Sequence, residues 1–256
     1  MANYQLSDVL EYQARSNINI YDSPKCDRLA TQAALGRHLR VVQPLVYPPQ
    51  PPLVKGGREE RDDIDLVVQG NTTAVMVRLC EDDYPGWLDI RDVELLDVTE
   101  TVYHPLVLSE AEIREKLPIA ITFARDAMNQ SNYYLWGGTV GPNYDCSGLM
   151  QAAFVAAGIW LPRDAYQQEA FTQPVSNIND LEAGDLVFFG TPEKATHVGL
   201  YLGDNRYIHS SGKAQGRNGI GIDVLSEDGD KVSQDYYRQL RGYGKVVASY
   251  QSRNWA

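Results

Sequence analysis

Asp145-Cys146-Ser147-Gly148-Leu149-Met150-Gln151-Ala152-Ala153-Phe154-Val155-Ala156-Ala157-Gly158 is the stretch that decides the fold. A polar residue opens it, an apolar run fills it and a glycine ends it. That is the pattern of a short buried helix with a cap at Asp145 and a stop at Gly158. Cys146 lies in the first turn, at the positive end of the peptide dipoles, where a thiolate is favoured. The thiolate is the nucleophilic form, so a reactive sulfur is expected at the helix tip.

Downstream the pattern turns to short strands: 185–189, 197–202, 206–209 and 221–224. Upstream, Ser109-Glu110-Ala111-Glu112 offers a capping box for a helix that Pro118 is expected to interrupt or restart, with helical spacing resuming over 119–128. Helices followed by a run of antiparallel strands make an α+β domain. His197 opens one strand and His209 lies on the next, with Gly203-Asp204-Asn205 as the turn. The two histidines are 12 residues apart, an even separation, and residues opposed about a three-residue turn also differ by even numbers. Both imidazoles are therefore expected on one face, His197 diagonal to His209. On that face Cys146 would attack a carbonyl, His197 would take the thiol proton, and His209 would fix the tautomer of His197. A standing Cys⁻/His⁺ ion pair is expected to hold the sulfur ready. The same three side chains as zinc ligands lack any Cys-x-x-Cys or His-x-x-x-His spacing, so no metal is expected.

The first part of the chain reads as β: 17–24, 39–42, 64–68, 73–79 and 87–90 are short strands separated by turn residues, the pattern of a small barrel. The proline-rich and charged stretch 44–63 reads as an insertion in it, and 99–108 as a linker. The 256 residues allow one large domain or two modest ones. A net charge of −11 argues against binding nucleic acid or anionic wall polymers by charge. No apolar stretch spans a bilayer, and no membrane partner is expected. The start, Met1 to Asp8, lacks the regions of an export signal, so a cytosolic protein is expected. Three cysteines make no disulfide framework; Cys26 and Cys80 are expected to be buried small apolar groups.

Tyr134-Leu135-Trp136-Gly137-Gly138, Asp145-Cys146-Ser147-Gly148, Gly184-Asp185-Leu186-Val187-Phe188-Phe189, His197-Val198-Gly199-Leu200-Tyr201 and Tyr207-Ile208-His209-Ser210 resemble, in order, the NlpC-type peptidoglycan endopeptidases, which are papain-like enzymes. The likeness covers about 113–247. It implies a papain-like cysteine peptidase domain over 109–256, with helices packed on an antiparallel sheet. The activity implied is hydrolysis of the bond between γ-D-glutamate and a diamino acid, usually meso-diaminopimelate, without any cofactor. By the same resemblance Cys146 is the nucleophile, His197 the base and His209 the third polar member. Tyr134 matches a tyrosine near the oxyanion position, and Trp136, Asp145 and Ser147 match residues lining the substrate groove.

The stretches 17–24, 29–36 and Tyr84-Pro85-Gly86-Trp87-Leu88 resemble bacterial SH3-like barrels, implying an all-β domain over 11–98. Relatives with this domain order restrict the substrate to murein tripeptides or tetrapeptides with a free N-terminal L-alanine, and Tyr84 sits where a barrel tyrosine reaches the groove. A cationic amine needs a carboxylate, and Asp145 is expected to supply it. Arg163-Asp164 reads first as a surface ion pair, with Asp164 kept as a candidate for the zwitterionic end of the diamino acid. No export signal then fits recycling of cell-wall peptides in the cytosol.

Overall fold

The computed structural model describes residues 11–42 and 73–252; the proline-rich stretch and the expected strand 64–68 lie outside them. Strands β1 (Glu11–Ala14), β2 (Ile18–Tyr21), β3 (Leu29–Ala33), β4 (His38–Val41), β5 (Ala74–Leu79), β6 (Pro85–Asp89) and β7 (Leu96–Val98) form one antiparallel sheet in the order β3-β2-β6-β5-β4-β1-β7. Alternation drives Ile18, Ile20, Leu39, Val75, Val77, Leu79 and Leu88 into a common core. Among the described residues no pairing of β3 with β7 closes the ladder, so the strands expected of a barrel stand in an open order. β1 has no apolar signature because one of its buried residues is Glu11. Its carboxylate accepts from Arg40 at 2.9 Å and from the Tyr103 N–H at 2.7 Å, so burial leaves no unpaired charge.

The second half packs helices α1 (Glu110–Met128), α2 (Cys146–Ala156), α3 (Ala165–Phe171) and α4 (Lys231–Tyr237) with an antiparallel sheet of β8 (Gln173–Val175), β9 (Leu186–Gly190), β10 (Ala195–Gly203), β11 (Arg206–Ser211), β12 (Gly219–Val224) and β13 (Leu240–Lys245). Its order is β12-β11-β10-β9-β13-β8. The capping box at Ser109 is present, but α1 runs unbroken through Pro118, against the expected interruption. Pro118 and Arg114 both face solvent, so the Arg114 carbonyl that the ring leaves unbonded faces water. α2 ends as its sequence requires: Gly158 takes φ +75°, and the Gly158 and Ile159 N–H groups bond the Val155 and Phe154 carbonyls. Leu149, Met150, Ala153 and Phe154 bury the helix against the sheet.

The two halves interlock beside α2. The Gln32 Oε1 accepts from the Thr139 and Val140 N–H groups, both at 3.1 Å, and Thr139 Oγ1 donates to the Gln32 carbonyl at 3.1 Å. Gly137, at φ +78°, lies so close to β3 that a Cβ there would stand 2.7 Å from the Leu29 carbonyl oxygen. Gln151 of α2 donates to Asp82 at 2.8 Å, and Asp82 also pairs with buried Arg37 at 2.6 Å. The first sheet is thereby fixed as a wall over the tip of α2.

Candidate active site

Cys146 is the first residue of α2 and is 6% exposed. Its sulfur accepts from the backbone N–H groups of Ser147 and Val198, and Val198 is the neighbour of His197 on β10. Asp145 caps the helix by accepting from the Gly148 N–H at 2.7 Å, and it also accepts from the Gly137 N–H at 2.9 Å. Arg163 closes on it in fork geometry, Nη1 to Oδ1 at 3.1 Å and Nη2 to Oδ2 at 2.6 Å. Both carboxylate oxygens are thus taken by the chain's own donors, which corrects the expectation of a carboxylate offered to a substrate amine. Arg163 is likewise no surface residue. It is 1% exposed and donates further to Ser147 Oγ at 3.0 Å and to Thr31 Oγ1 of β3 at 3.0 Å. A guanidinium desolvated to this degree is retained only with such pairing.

The histidines share one face, although the turn differs from the one expected. Asp204 and Asn205 form a two-residue turn, both at positive φ (52° and 55°), and the register shifts between Tyr201 and Gly203. The bulged Leu202 restores the even separation that the two-residue turn alone would lose, giving Leu200 opposite Ile208 and Tyr201 opposite Tyr207. His197 Nε2 and His209 Nδ1 come to 2.6 Å. Gly199 makes room for this: a Cβ there would stand 2.7 Å from the Tyr207 ring and 3.3 Å from the His209 Cβ. Beyond His209, its Nε2 lies 2.7 Å from Asp223 Oδ2 on β12. Arg217 and Ser233 donate to the same carboxylate, at 3.1 Å and 3.2 Å. Tyr236 of α4 stacks on His197 with centroids 4.3 Å apart, its hydroxyl 2.7 Å from Ser211 Oγ.

Burial sets the charge states. It pushes the Cys146 thiol up to about 12; the nearby Asp145 carboxylate acts the same way, and the Ser147 and Val198 N–H groups oppose both. Burial drives His197 well below the ordinary histidine value, with His209 acting in the same direction, and burial lowers His209 against the pull of Asp223. Burial thus acts against the charged form of both the thiol and the imidazole, and so against the expected standing ion pair. For Asp223 burial acts upward, but the hydrogen bonds from His209 and Arg217 prevail and hold it below the usual carboxylate range.

A cleft of about 310 Å³ opens over the sulfur, and Tyr84, Tyr134, Trp136, Asp145, Cys146, Ser147 and Asp164 all line it. Every residue read from the sequence as a groove residue thus reaches one cavity, while His197 and His209 are buried and lie outside its lining. Tyr84 comes from the first sheet and hydrogen-bonds Asp164. Burial raises the Asp164 carboxyl, with Arg163 opposing. Trp136 is exposed at the mouth, under the Arg28 guanidinium at 5.2 Å. Cys26 is only half-buried, at a turn with φ +53°, and Cys80 is buried; both are free thiols. The sequence reading missed Asp223, Arg217 and Tyr236. For Asp223 a signal existed: His209 pairs with Gly221, so position 223 is the next diagonal neighbour on the same face. No group of three or more His, Cys, Asp or Glu placed to hold a metal occurs among the described residues. A thiol on the cleft that accepts from the N–H of Val198, the residue after a histidine that is itself paired with a second ring, supplies with that histidine the groups needed for nucleophilic attack on a carbonyl there.

Residues 131–241, which hold Cys146, His197 and His209, match the model of the NlpC/P60 family. The chain is similar to the gamma-D-glutamyl-L-lysine dipeptidyl-peptidase of Bacillus subtilis (41% identity over 96 residues, 36% of this chain and 30% of that protein). It is similar also to the bifunctional muramidase/DL-endopeptidase CwlT of the same organism (45% over 131 residues, 49% and 40%). A third relative is the murein DD-endopeptidase MepS/murein LD-carboxypeptidase of Escherichia coli (40% over 79 residues, 30% and 42%). The chain spans less than half the length of each of these. Among solved structures, an NlpC/P60 family protein from Bacillus cereus aligns with a TM-score of 0.42 at 18% identity, over 94% of this chain and 64% of that one.

Proposed function

We propose that this chain, whose residues 131–241 form an NlpC/P60 domain, is a cysteine peptidase that hydrolyses the γ-D-glutamyl–diamino acid bond of murein peptides. Cys146 attacks the γ-glutamyl carbonyl while His197 takes its proton. The developing oxyanion is met by the Tyr134 hydroxyl, a phenol that burial keeps protonated. His197 returns the proton to the leaving amine of the diamino acid, and water then hydrolyses the thioester with His197 as base. Ser147 and Trp136 line the path of the peptide.

The substrate carries a free N-terminal L-alanine. What carries this reading is the pairing of Tyr84 with Asp164 at the end of the cleft where the first sheet stands as a wall. With Asp145 occupied by Arg163, Asp164 is the carboxylate that receives the ammonium, and the Tyr84 hydroxyl accepts a second bond. The first sheet is on this reading an SH3-like domain, and its wall excludes peptides still attached to sugar. Such an enzyme serves the recycling of released tripeptides and tetrapeptides, and we place that role in the cytosol. Incubation with L-Ala-γ-D-Glu-meso-diaminopimelate should release the diamino acid, read by mass spectrometry. The N-acetylated tripeptide should be cleaved at least about tenfold more slowly, an ammonium–carboxylate bond being worth ~1.5–3 kcal/mol. Cys146→Ala should abolish cleavage; retained turnover in that variant refutes the mechanism.

A further inference from the structure

We propose that Asp223, clamped by Arg217, is a positioning residue that sets the order of protons along the imidazole pair and so makes Nδ1 of His197 the base nitrogen. The inference rests on the reading of Cys146 and His197 as nucleophile and base. His197, His209 and Asp223 stand on three consecutive strands, each one diagonal step from the last, at 2.6 Å and 2.7 Å. An ionised carboxylate only accepts, so the proton between His209 and Asp223 belongs to His209 Nε2. A neutral His209 then has only a lone pair at Nδ1. The 2.6 Å contact therefore requires His197 to donate through its own Nε2, which leaves its lone pair on Nδ1. The opposite order would set two acceptors against each other 2.7 Å apart in a place where His209 is 0% and Asp223 1% exposed.

The carboxylate is itself held in place. Arg217 Nε donates to Oδ2 at 3.1 Å and its Nη2 donates to Oδ1. Ser233 accepts the Val224 N–H through Oγ at 3.2 Å, so its hydroxyl proton is directed to Asp223 Oδ1, also at 3.2 Å. Asp230 in turn holds Arg217 at 3.0 Å. When His197 takes the thiol proton, a cation forms among buried rings. Facing His197 are His209 and the rings of Phe189 and Tyr236. Facing His209 are Tyr207, Tyr236, Asp223 and the Arg217 behind it, while Asp145, Arg163, Tyr134 and Tyr236 surround the sulfur. On the imidazole side Asp223 is the anion that stabilises the new charge, and Arg217 tempers it.

The two neighbours thus have opposite electrostatic signs, which separates this role from a structural one. The test is the pH dependence of iodoacetamide alkylation of Cys146, followed by peptide mapping, in the full chain and in Asp223→Asn and Arg217→Gln. Losing the carboxylate removes the anion that favours protonated His197, so it should move the acid limb to lower pH and, by making the thiolate–imidazolium pair rarer, slow alkylation at pH 7 by at least about tenfold, one pKa unit being tenfold. kcat for the tripeptide should fall with KM little changed. Losing the guanidinium, while His209 and Ser233 still hold Asp223, should move the limb to higher pH. An unchanged limb in Asp223→Asn, or shifts of the same sign in both variants, overturns the proposal. Should Asp223→Asn not fold, the Arg217→Gln limb alone decides: an upward shift supports it and any other result overturns it. Failure of the underlying reading looks different. Wild-type Cys146 would then resist alkylation at every pH, or Cys146→Ala would still cleave the tripeptide.

Discussion

Two buried imidazoles held neutral make the stability of the molecule depend on pH. Burial lowers the pKa of both His197 and His209, so the folded state resists protons that the unfolded chain accepts near the ordinary histidine value. For a group whose folded pKa lies below its unfolded one, the stabilisation is complete above the unfolded value and is lost as pH falls toward the folded one. Stability should therefore be flat above pH 7 and fall below about 6.5, by up to ~1.4 kcal/mol per pH unit for each histidine. Urea unfolding between pH 8 and 4.5 measures this, and His209→Gln should flatten the slope. An equal slope in that variant would assign the loss to other groups. At this scale the sequence was readable for residues whose type carries chemistry, Cys146 and its two histidines. It was misleading for Asp145 and Arg163, because only the fold shows that each is consumed by the other.

Elements were legible where periodicity and local chemistry agree. The capped helix α2 and the strands of the second sheet follow from apolar runs and glycine stops. β1 was missed because only its Tyr12 and Ala14 face the core and Glu11 is buried on the opposite face, and the unbroken α1 because a proline on a solvent face is tolerated. The β10–β11 hairpin is the instructive case. Counting residues placed His197 diagonal to His209, but the even count is produced by a two-residue turn plus the bulged Leu202. That arrangement has one tight point, Gly199, packed on Tyr207 and His209. Gly199→Ala should cost about 1–3 kcal/mol of stability through overpacking. Tyr207 is fully buried and has no free space to yield, so His209 must give way as well. Turnover should fall at least about tenfold, since misplacement of a catalytic geometry is costly. Thermal unfolding and kcat of the same preparation check the two parts, and full activity at reduced stability would show that the hairpin tolerates the shift.

The whole molecule is where sequence reading stops, because its halves meet through pairs such as Gln32 and Thr139 that stand 107 residues apart. Two domains were expected, and the resemblance implied that the first reaches the groove through Tyr84; the pairs that lock the halves together were not expected, since no local pattern encodes them. Yet selectivity on the proposed reading is a property of that interlock. Tyr84 belongs to the first sheet and Asp164 to the second half, and they meet only while the wall is seated. Gln32 is the hook: one side-chain oxygen accepts from two successive N–H groups, Thr139 and Val140. Both of those donors follow the Trp136–Gly138 turn that borders the cleft. Gln32→Ala leaves the two N–H groups without their acceptor at a half-buried site, a cost of about 1–3 kcal/mol each if water does not replace it. The wall should loosen while the chain of Cys146, His197, His209 and Asp223, which has no contact with Gln32, stays in place. KM for the free-amine tripeptide should then rise several-fold with kcat little changed, and the preference over its N-acetylated form should shrink. Equal loss of kcat on both peptides would mean that the first sheet supports the catalytic residues themselves and not merely the end of the cleft.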